Sequence, residues 1–283
     1  MTTVIRKLIC CLTGLCLSLA CIASVQAQQR IVSTDAAATQ ILFALGAEAA
    51  LVGVDVTSTL PPGYREVAGV GYHRALSAEG LLSLNPSLVI GSEQIGPPGV
   101  LDTLDAAGVS VLQLPAANTI AALKANIAAI AAATNTGDRI PTIHEQLDTM
   151  ARDLAAGAAS MQRMAFVLSV EPGKLRIAGL DTTGNAFIEL LGGQNIAGFA
   201  AYRTLSAEAV LELAPAVILV ANHEGGSPAR VLELNPILRY SKAARSNRIV
   251  SVDAANLAAG LSPDAIADAS ALLASINLEP QPN

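Results

Sequence analysis

Cysteine is missing from almost the whole of this 283-residue chain. All four cysteines lie between residues 10 and 21, and none follows. Their absence from residues 28–283 excludes disulfides, cysteine nucleophiles, zinc–thiolate sites and iron–sulfur clusters from that part. A folded domain of this kind has to be stabilised by its hydrophobic core alone, and the remaining length suffices for one large core or two medium ones.

Aromatic residues and positive charge are scarce as well. Aromatics make up 3% of the chain and tryptophan is absent, which disfavours a carbohydrate site built on stacked rings. Two of the 17 basic residues are Arg6 and Lys7, so residues 28–283 carry 15 basic against 23 acidic residues, a net charge of −8. An acidic chain without a basic run is poorly suited to nucleic acid or an anionic membrane surface.

The first 27 residues have the layout of a secretory signal peptide. Two basic residues precede an apolar stretch from Leu8 to Ala23, and small residues lead up to Ala27. The stretch is short for a spanning helix, and no second apolar segment follows. We predict cleavage after Ala27. Cleavage before Cys21, as in a lipoprotein, is disfavoured because Ser18 stands where a large aliphatic residue is usual.

Short β-branched runs alternate with helical stretches rich in alanine and leucine, which is typical of an α/β protein with parallel strands. The predicted strands are Arg30–Ser33, Leu51–Val54, Leu88–Ile90, Val109–Leu114, Phe166–Ser169, Val217–Val220 and Ile249–Val252. The predicted helices are Ala38–Leu45, Ile120–Thr134, Thr142–Met161 and Ile266–Ile276.

An internal repeat indicates two related halves. Arg74–Pro86 returns as Arg203–Pro215 with Arg, Leu-Ser-Ala-Glu and Pro in register, and an aliphatic strand and a polar Gly/Pro loop follow each copy. The repeat predicts an N-terminal lobe over residues 28–140 and a C-terminal lobe over residues 164–283. A long helix over residues 141–163 is expected to link them.

Parallel sheets predict where a ligand would bind. Ligands of open parallel sheets bind beyond the carboxyl ends of the strands. In a two-lobed protein those ends can face each other across a cleft. We therefore expect the loops that follow Ile90 and Val220 to line a cleft between the lobes.

Gly71–Pro98 resembles the signature stretch of the periplasmic haem-binding proteins that supply haem ABC importers. The Gly-Tyr-x-Arg start and the Gly-Pro-Pro end carry the likeness to haem binders. Leu-Ser-Ala-Glu followed by a strand is shared with the wider helical-backbone class of substrate-binding proteins, which also carries cobalamin and iron–siderophores. The resemblance covers nearly all of residues 28–283. It implies two Rossmann-like lobes with central parallel sheets, joined by a backbone helix.

The resemblance also implies a ligand, a partner and a compartment. The protein is expected to be a monomer in the periplasm that captures ferric haem in the inter-lobe cleft. It would deliver the haem to an ABC permease dimer in the inner membrane. A ferric siderophore or a corrinoid is the alternative cargo within the same fold.

The family's tyrosine in Gly-Tyr-x-Arg is the axial ligand of ferric haem, which implies this role for Tyr72. A phenolate is a hard, anionic donor suited to Fe(III). Arg74 is expected to favour the ionised phenol through its charge and a hydrogen bond. A packing tyrosine and a structural arginine are the alternatives.

Two histidines lie close to these predicted positions. His73 is expected to face solvent, because neighbours in an extended segment point to opposite sides. His223 follows a strand of the second lobe and is expected to reach the cleft, where it could contact a propionate or serve as a second ligand. A single bound haem is the expected stoichiometry.

Glu79 and Glu208 occupy equivalent positions in the two repeats. Each follows a serine that is expected to cap a helix, so each carboxylate can complement a helix dipole. The resemblance implies a second role, in which the pair docks onto arginines of the two membrane subunits, one acid per lobe.

The sequence offers little to an enzyme. It has no Gly-x-Ser-x-Gly elbow, no His-Glu-x-x-His and no P-loop, and its three histidines are scattered. A zinc or manganese carrier would need several convergent histidines. We therefore predict a binding protein that is not an enzyme.

Overall fold

The computed structural model describes residues 29–157, 162–222 and 226–277. The predicted signal peptide over residues 1–27 lies outside these ranges. The strands are β1 Ile31–Ser33, β2 Leu51–Val54, β3 Ala68–Gly69, β4 Leu88–Ser92, β5 Ser110–Leu114, β6 Arg163–Glu171, β7 Lys174–Ala178, β8 Gln194–Asn195, β9 Tyr202–Ser206, β10 Val217–Ala221 and β11 Ile249–Val252. The helices are α1 Ala36–Ala44, α2 Ala78–Ser83, α3 Pro98–Ala106, α4 Ile120–Thr134, α5 Ile140–Gly157, α6 Thr183–Leu190, α7 Ala207–Glu212, α8 Pro228–Leu234, α9 Lys242–Arg245 and α10 Pro263–Asn277.

The first lobe is built on a five-stranded sheet in the order β3-β2-β1-β4-β5, with every neighbouring pair parallel. Its two central strands, β1 and β4, are buried along their whole length. This is the pattern of a parallel sheet covered on both faces by helices. The α/β fold class with two lobes, as expected from the sequence, is confirmed.

The second lobe holds a six-stranded sheet in the order β11-β10-β6-β7-β9, with β8 beside β6. Its strands β11, β10, β6 and β8 pair in parallel, whereas β7 runs antiparallel to both β6 and β9. The sheet is therefore mixed. A hairpin between Glu171 and Lys174 adds the antiparallel strands, which were not predicted from the sequence.

The helix α5 runs between the two sheets from Ile140 to Gly157. Pro141 stands at its second position, where a missing N–H leaves no intrahelical bond unmade. Its buried residues Ile143, Leu147 and Leu154 follow helical spacing and face α4 and α10. The domain limits inferred from the sequence stay a prediction.

One hydrophobic core extends through both lobes. It includes Ile31 and Ile90 of the first sheet, Phe166 and Leu219 of the second, and Leu273 of α10. Full burial of each such side chain contributes roughly 1.5–3 kcal/mol to folding. Within the described ranges, none of the helices combines the length and the apolar character needed to cross a bilayer.

Candidate functional site

The carboxyl ends of strands from both lobes open onto one cleft of about 690 Å³. From the first lobe it is lined by Val56, Thr57, Tyr72, His73, Arg74 and Gln94. From the second lobe it is lined by Phe166, Leu168, Thr183, Tyr202, Ala221, Ala254, Ala255, Leu257 and Ala258. The volume lies in the range of small-molecule and cofactor sites, and both lobes contribute to the walls.

Tyr72 stands in the loop between β3 and α2 with its side chain in the cleft. Three backbone hydrogen bonds hold this loop: Val56 N–H donates to the carbonyl of Gly71 at 3.0 Å, Ala75 N–H to that of Tyr72 at 2.8 Å, and Gly96 N–H to that of His73 at 2.9 Å. Tyr72 nevertheless remains 46% exposed. A phenol so placed is open to a ligand, although its backbone is fixed.

Arg74 lies on the same wall of the cleft as Tyr72 and is exposed. Its guanidinium donates a hydrogen bond to the amide oxygen of Gln94, which is half-buried. The arrangement leaves further guanidinium N–H groups for an anionic group in the cleft, since arginine carries five donors. Its predicted action on the Tyr72 phenolate stays a prediction.

His73 is buried, so its predicted solvent-facing position is wrong. Its side chain is 4% exposed, and Nδ1 lies 3.3 Å from Oδ2 of the fully buried carboxylate of Asp55. The Tyr72 and His73 rings contact each other with centroids 4.4 Å apart and planes tilted by 53°. The alternation rule fails here because residues 72–75 form a turn, closed by the hydrogen bond from Ala75 N–H to the carbonyl of Tyr72.

Asp55 is fixed by hydroxyl groups from the loop that follows β2. Thr57 Oγ1 donates to its carboxylate at 2.9 Å, and Ser58 Oγ donates to Oδ1 at 2.9 Å. Its backbone N–H donates to the carbonyl of Ser33 at 3.1 Å, which continues the β1–β2 ladder by one residue. The carboxylate that faces His73 is therefore held by both its side chain and its backbone.

A second buried carboxylate, Asp35, lies nearby at the start of α1. Its Oδ1 accepts from Ala38 N–H at 2.7 Å and caps the helix, whereas Oδ2 has no hydrogen-bond partner among the residues that the structure describes. Burial raises the pKa of Asp35, and the proximity of Asp55 raises it further; the N–H of Ala38 and the proximity of His73 oppose this. The environment of Asp35 therefore favours its neutral form.

Tyr202 faces the cleft from the second lobe. Its hydroxyl accepts a hydrogen bond from Gly184 N–H at 3.3 Å, at the start of α6, and the Arg176 guanidinium lies 6.0 Å from its ring centroid. Burial raises the pKa of Tyr202, and these neighbours offset the increase only in part. The environment of Tyr202 therefore favours its neutral phenol.

Apart from Thr183, the rest of the second-lobe wall is apolar. Phe166 and Leu168 come from β6, and Ala254, Ala255 and Ala258 come from the segment after β11. Such a wall can cover the faces of a flat, apolar ligand without competing for a metal.

Gly260 ties this alanine-rich segment to the first lobe. It has a φ of +104°, and a Cβ there would lie 2.2 Å from the backbone nitrogen of Ala117. Only glycine permits this approach. The neighbouring Leu261 N–H then donates to the carbonyl of Ala117 at 2.7 Å.

The remaining predicted residues are placed as follows. Glu79 and Glu208 are exposed in the first turns of α2 and α7, one in each lobe. Ser77 and Ser206 cap these helices, each accepting an N–H at 3.2 Å. Neither acid forms an ion pair within the part of the chain that the structure describes. His223 lies outside the described residues, two positions after Ala221, the last residue of β10, which lines the cleft.

Several cleft residues were missed by sequence reasoning. For Tyr202 a signal existed, because it precedes Arg203 as His73 precedes Arg74 in the repeat, and extending the repeat by one residue pairs the two positions. For Asp55 there was none, because its partner is 18 residues away in the chain. In the described ranges, no group of three or more His, Cys, Asp or Glu could hold a metal ion.

A comparison with known proteins gives the class. The family model described as periplasmic binding protein matches residues 31–255, and the chain belongs to this family.

Similar solved structures are known for much of the chain. One is the periplasmic haem-binding protein HutB of Vibrio cholerae, with 33% identity and a TM-score of 0.83 over 89% of this chain and 100% of that one. Another is a periplasmic haem-binding protein of Pseudomonas aeruginosa, with 32% identity and a TM-score of 0.82 over 90% and 95%. A curated relative is the vitamin B12-binding protein of Pectobacterium carotovorum, 25% identical over 80% of this chain and 81% of its own length.

Proposed function

We propose that this protein is the substrate-binding protein of an ABC importer and that it carries ferric haem in the cleft between its lobes. The observation that carries the proposal is the placement of Tyr72. Its exposed phenol stands at one wall of a cleft of about 690 Å³ whose opposite wall is mainly apolar. A hard oxygen donor facing an apolar wall matches an iron centre inside an apolar macrocycle.

Each group of the cleft has a part in this binding. Tyr72 would ligate Fe(III) as phenolate, and the alanine-rich segment with Phe166 would pack against the porphyrin. Arg74, at the same wall, would favour the ionised phenol and pair with a propionate. His223 is proposed as a further contact from the second lobe. We expect one haem per monomer.

The likeness to solved haem-binding proteins supports this proposal. HutB and the Pseudomonas protein cover about nine tenths of this chain at 33% and 32% identity. We further propose that a signal peptide over residues 1–27 is removed on export to the periplasm. There the protein would act as a carrier rather than as a catalyst.

A corrinoid is the second candidate cargo. It is favoured by the 25% identity to the vitamin B12-binding protein of Pectobacterium carotovorum. Parallel titrations of the protein with hemin and with cyanocobalamin separate the two. Saturable binding of cyanocobalamin without binding of hemin would establish the corrinoid and overturn the haem proposal.

The test of the haem proposal is a hemin titration of residues 28–283 followed by visible absorbance. We expect the charge-transfer bands of a phenolate bound to ferric haem. Tyr72→Phe keeps the ring and removes the ligating oxygen, so it should abolish these bands. It should also weaken binding by more than the roughly 10–100-fold loss that follows removal of an outer-shell partner.

Tyr240→Phe is the matched control for this variant. Tyr240 is 71% exposed and does not line the cleft, so its loss should leave both the spectrum and the affinity unchanged. If Tyr72→Phe retains the bands and the affinity of the parent, Tyr72 is not the ligand.

A further inference from the structure

We propose that Asp55 and His73 position Tyr72: their buried contact anchors the loop from inside and holds the phenol in the cleft. This inference rests on the proposed haem function for its consequence, although the anchoring itself is a property of the ligand-free protein. Asp55 and His73 would act through Tyr72 and would not touch the iron.

The first step of the argument is the direction of the side chains. Tyr72 and Arg74 are exposed to the cleft, whereas His73 between them is 3% exposed. His73 and Arg74 are the central residues of a turn that is closed by the hydrogen bond from Ala75 N–H to the carbonyl of Tyr72 at 2.8 Å. A contact that fixes His73 therefore fixes this turn and, with it, the backbone of Tyr72.

The second step is the rigidity of the anchor. Asp55 continues the β1–β2 ladder, and its carboxylate accepts hydrogen bonds from Thr57 and Ser58 as well as the contact with His73 Nδ1 at 3.3 Å. The Ser58 hydroxyl lies 2.7 Å from that of Thr39 on α1, so the network reaches the first helix. A ligand held by packed and hydrogen-bonded neighbours keeps its geometry before its cargo arrives.

The third step is the ring contact that transmits the anchor. The Tyr72 and His73 rings lie with centroids 4.4 Å apart, so a displacement of the imidazole moves the surface on which the phenol rests. Loss of the contact with Asp55 would also leave a buried carboxylate with one partner fewer, which favours rearrangement of the loop. Either change would misplace the oxygen relative to the iron.

The experiment compares two replacements of His73 in the protein over residues 28–283. His73→Leu fills the space but cannot bond to Asp55, whereas the amide nitrogen of His73→Asn can reach it from about the position of Nδ1. We expect His73→Leu to weaken hemin binding about 10–100-fold, the range of outer-shell partners, and to change the phenolate charge-transfer bands. His73→Asn, which can keep the bond to Asp55 but not the ring contact, should restore part of both the affinity and the bands.

Two further variants keep the test decisive. Asp55→Leu removes the hydrogen-bonding oxygens at similar size and should reproduce the loss if His73→Leu fails to fold. Asn235→Ala removes a different buried polar side chain, which lies in the second lobe and does not line the cleft, and should lower thermal stability without changing the bands. A folded His73→Leu that keeps the parent's bands and affinity, or a His73→Asn that loses as much as His73→Leu, overturns the proposal.

A haem-independent measurement separates this proposal from the function. In ligand-free protein with ¹³C-labelled tyrosine, the ring signal of Tyr72, assigned through Tyr72→Phe, should move in Asp55→Leu, which keeps the His73 ring but removes its anchor. If the parent shows no phenolate bands with hemin, the proposed function fails, while this signal still decides the anchoring. An unmoved Tyr72 signal in folded Asp55→Leu overturns the anchoring alone.

Discussion

Arg74 and Gln94 meet on the wall of the cleft that carries Tyr72, and their hydrogen bond gives the guanidinium a defined place there. The bond uses one of the five N–H donors of arginine. The remaining donors and the positive charge are available to an anionic group of the cargo or to the phenolate. Arg74 can therefore contribute to binding without being a ligand of the metal.

Arg74→Ala should weaken hemin binding about tenfold, which corresponds to about 1.4 kcal/mol. The hemin affinity of Arg74→Lys should lie between those of Arg74→Ala and the parent, because lysine keeps the charge but lacks the planar guanidinium. Hemin titrations measure both affinities.

Arg203→Ala is the matched control, since Arg203 is the equivalent of Arg74 in the second repeat. It lies over the Phe199 ring at 5.1 Å and does not line the cleft. Parent-like affinity of Arg74→Ala would make this arginine structural.

The sequence predicted part of this environment. The motif placed Tyr72 and Arg74 in one loop, and the structure brings both to the cleft. The alternation rule was wrong for His73, because residues 72–75 form a turn rather than an extended segment. The buried position of His73 depends on Asp55, which reaches His73 only through the pairing of β1 with β2 and the loop that follows.

At the scale of elements, local pattern located the predicted elements and determined some boundaries. The predicted strands Leu51–Val54 and Ile249–Val252 and the helix Ile120–Thr134 have the same limits in the structure. The strands β3, β7, β8 and β9 were missed. For β7 a signal existed, because Lys174–Ile177 alternates charged and apolar residues as a half-buried strand does.

The hairpin before β7 did have a local signal. Pro172 and Gly173 connect β6 to β7, and Gly173 has a φ of +72°. Proline followed by a glycine with positive φ is typical of a tight turn. The repeat also diverges here: Arg203–Ser206 lies in β9, whereas Arg74 and its neighbours form a loop.

Asp35→Asn should stabilise the protein at neutral pH. The raised pKa of Asp35 means that folding disfavours its charged form, and asparagine caps helices about as well as aspartate. At a pH below the ordinary aspartate pKa, the carboxyl is neutral in both the folded and the unfolded protein, so folding does not have to bury a charge. As the pH rises from there through the raised pKa, the unfolding free energy of the parent should fall relative to that of the variant.

Thermal unfolding of both proteins across this pH range is the measurement. Thr119→Asn serves as the control, because Thr119 caps α4 with a neutral side chain and its replacement should give no pH-dependent difference. Asp35→Ala should cost about 1 kcal/mol through loss of the cap. A difference in stability between the parent and Asp35→Asn that does not change with pH would contradict the idea that burial of the Asp35 charge destabilises the parent.

At the scale of the whole molecule, the lobes share more than the helix α5. Gln40 of α1 hydrogen-bonds Asn256 at 2.7 Å and accepts from Asp264 N–H at 3.0 Å, so the C-terminal segment is tied to the first lobe. The helix α10 packs on both α5 and α1. A large rotation between the lobes would break these contacts. The cleft is therefore largely preformed, and recognition by a partner has to rely on the lobes' outer surfaces.

Glu79 and Glu208 are suited to such recognition, because each is exposed on one lobe and the two belong to equivalent helices. Reversing both to lysine should leave the hemin titration nearly unchanged, since neither residue lines the cleft. If the two acids dock onto arginines of the permease, transfer of haem to it in reconstituted vesicles should fall sharply, because each attraction would become a repulsion. The dipole effect alone should cost about 0.3–1 kcal/mol per site in stability.

The control for this double variant is Glu145→Lys with Asp153→Lys, which makes the same change in net charge on the exposed face of α5. If docking depends on where the charges lie, this control should transfer haem normally, since only Glu79 and Glu208 sit on equivalent helices of the two lobes. Equal loss in both double variants would indicate a general effect of net charge. Normal transfer by folded Glu79→Lys/Glu208→Lys protein would contradict docking. The two acids would then be left with the helix-dipole role, which agrees with their positions in the first turns of α2 and α7, behind the capping residues Ser77 and Ser206.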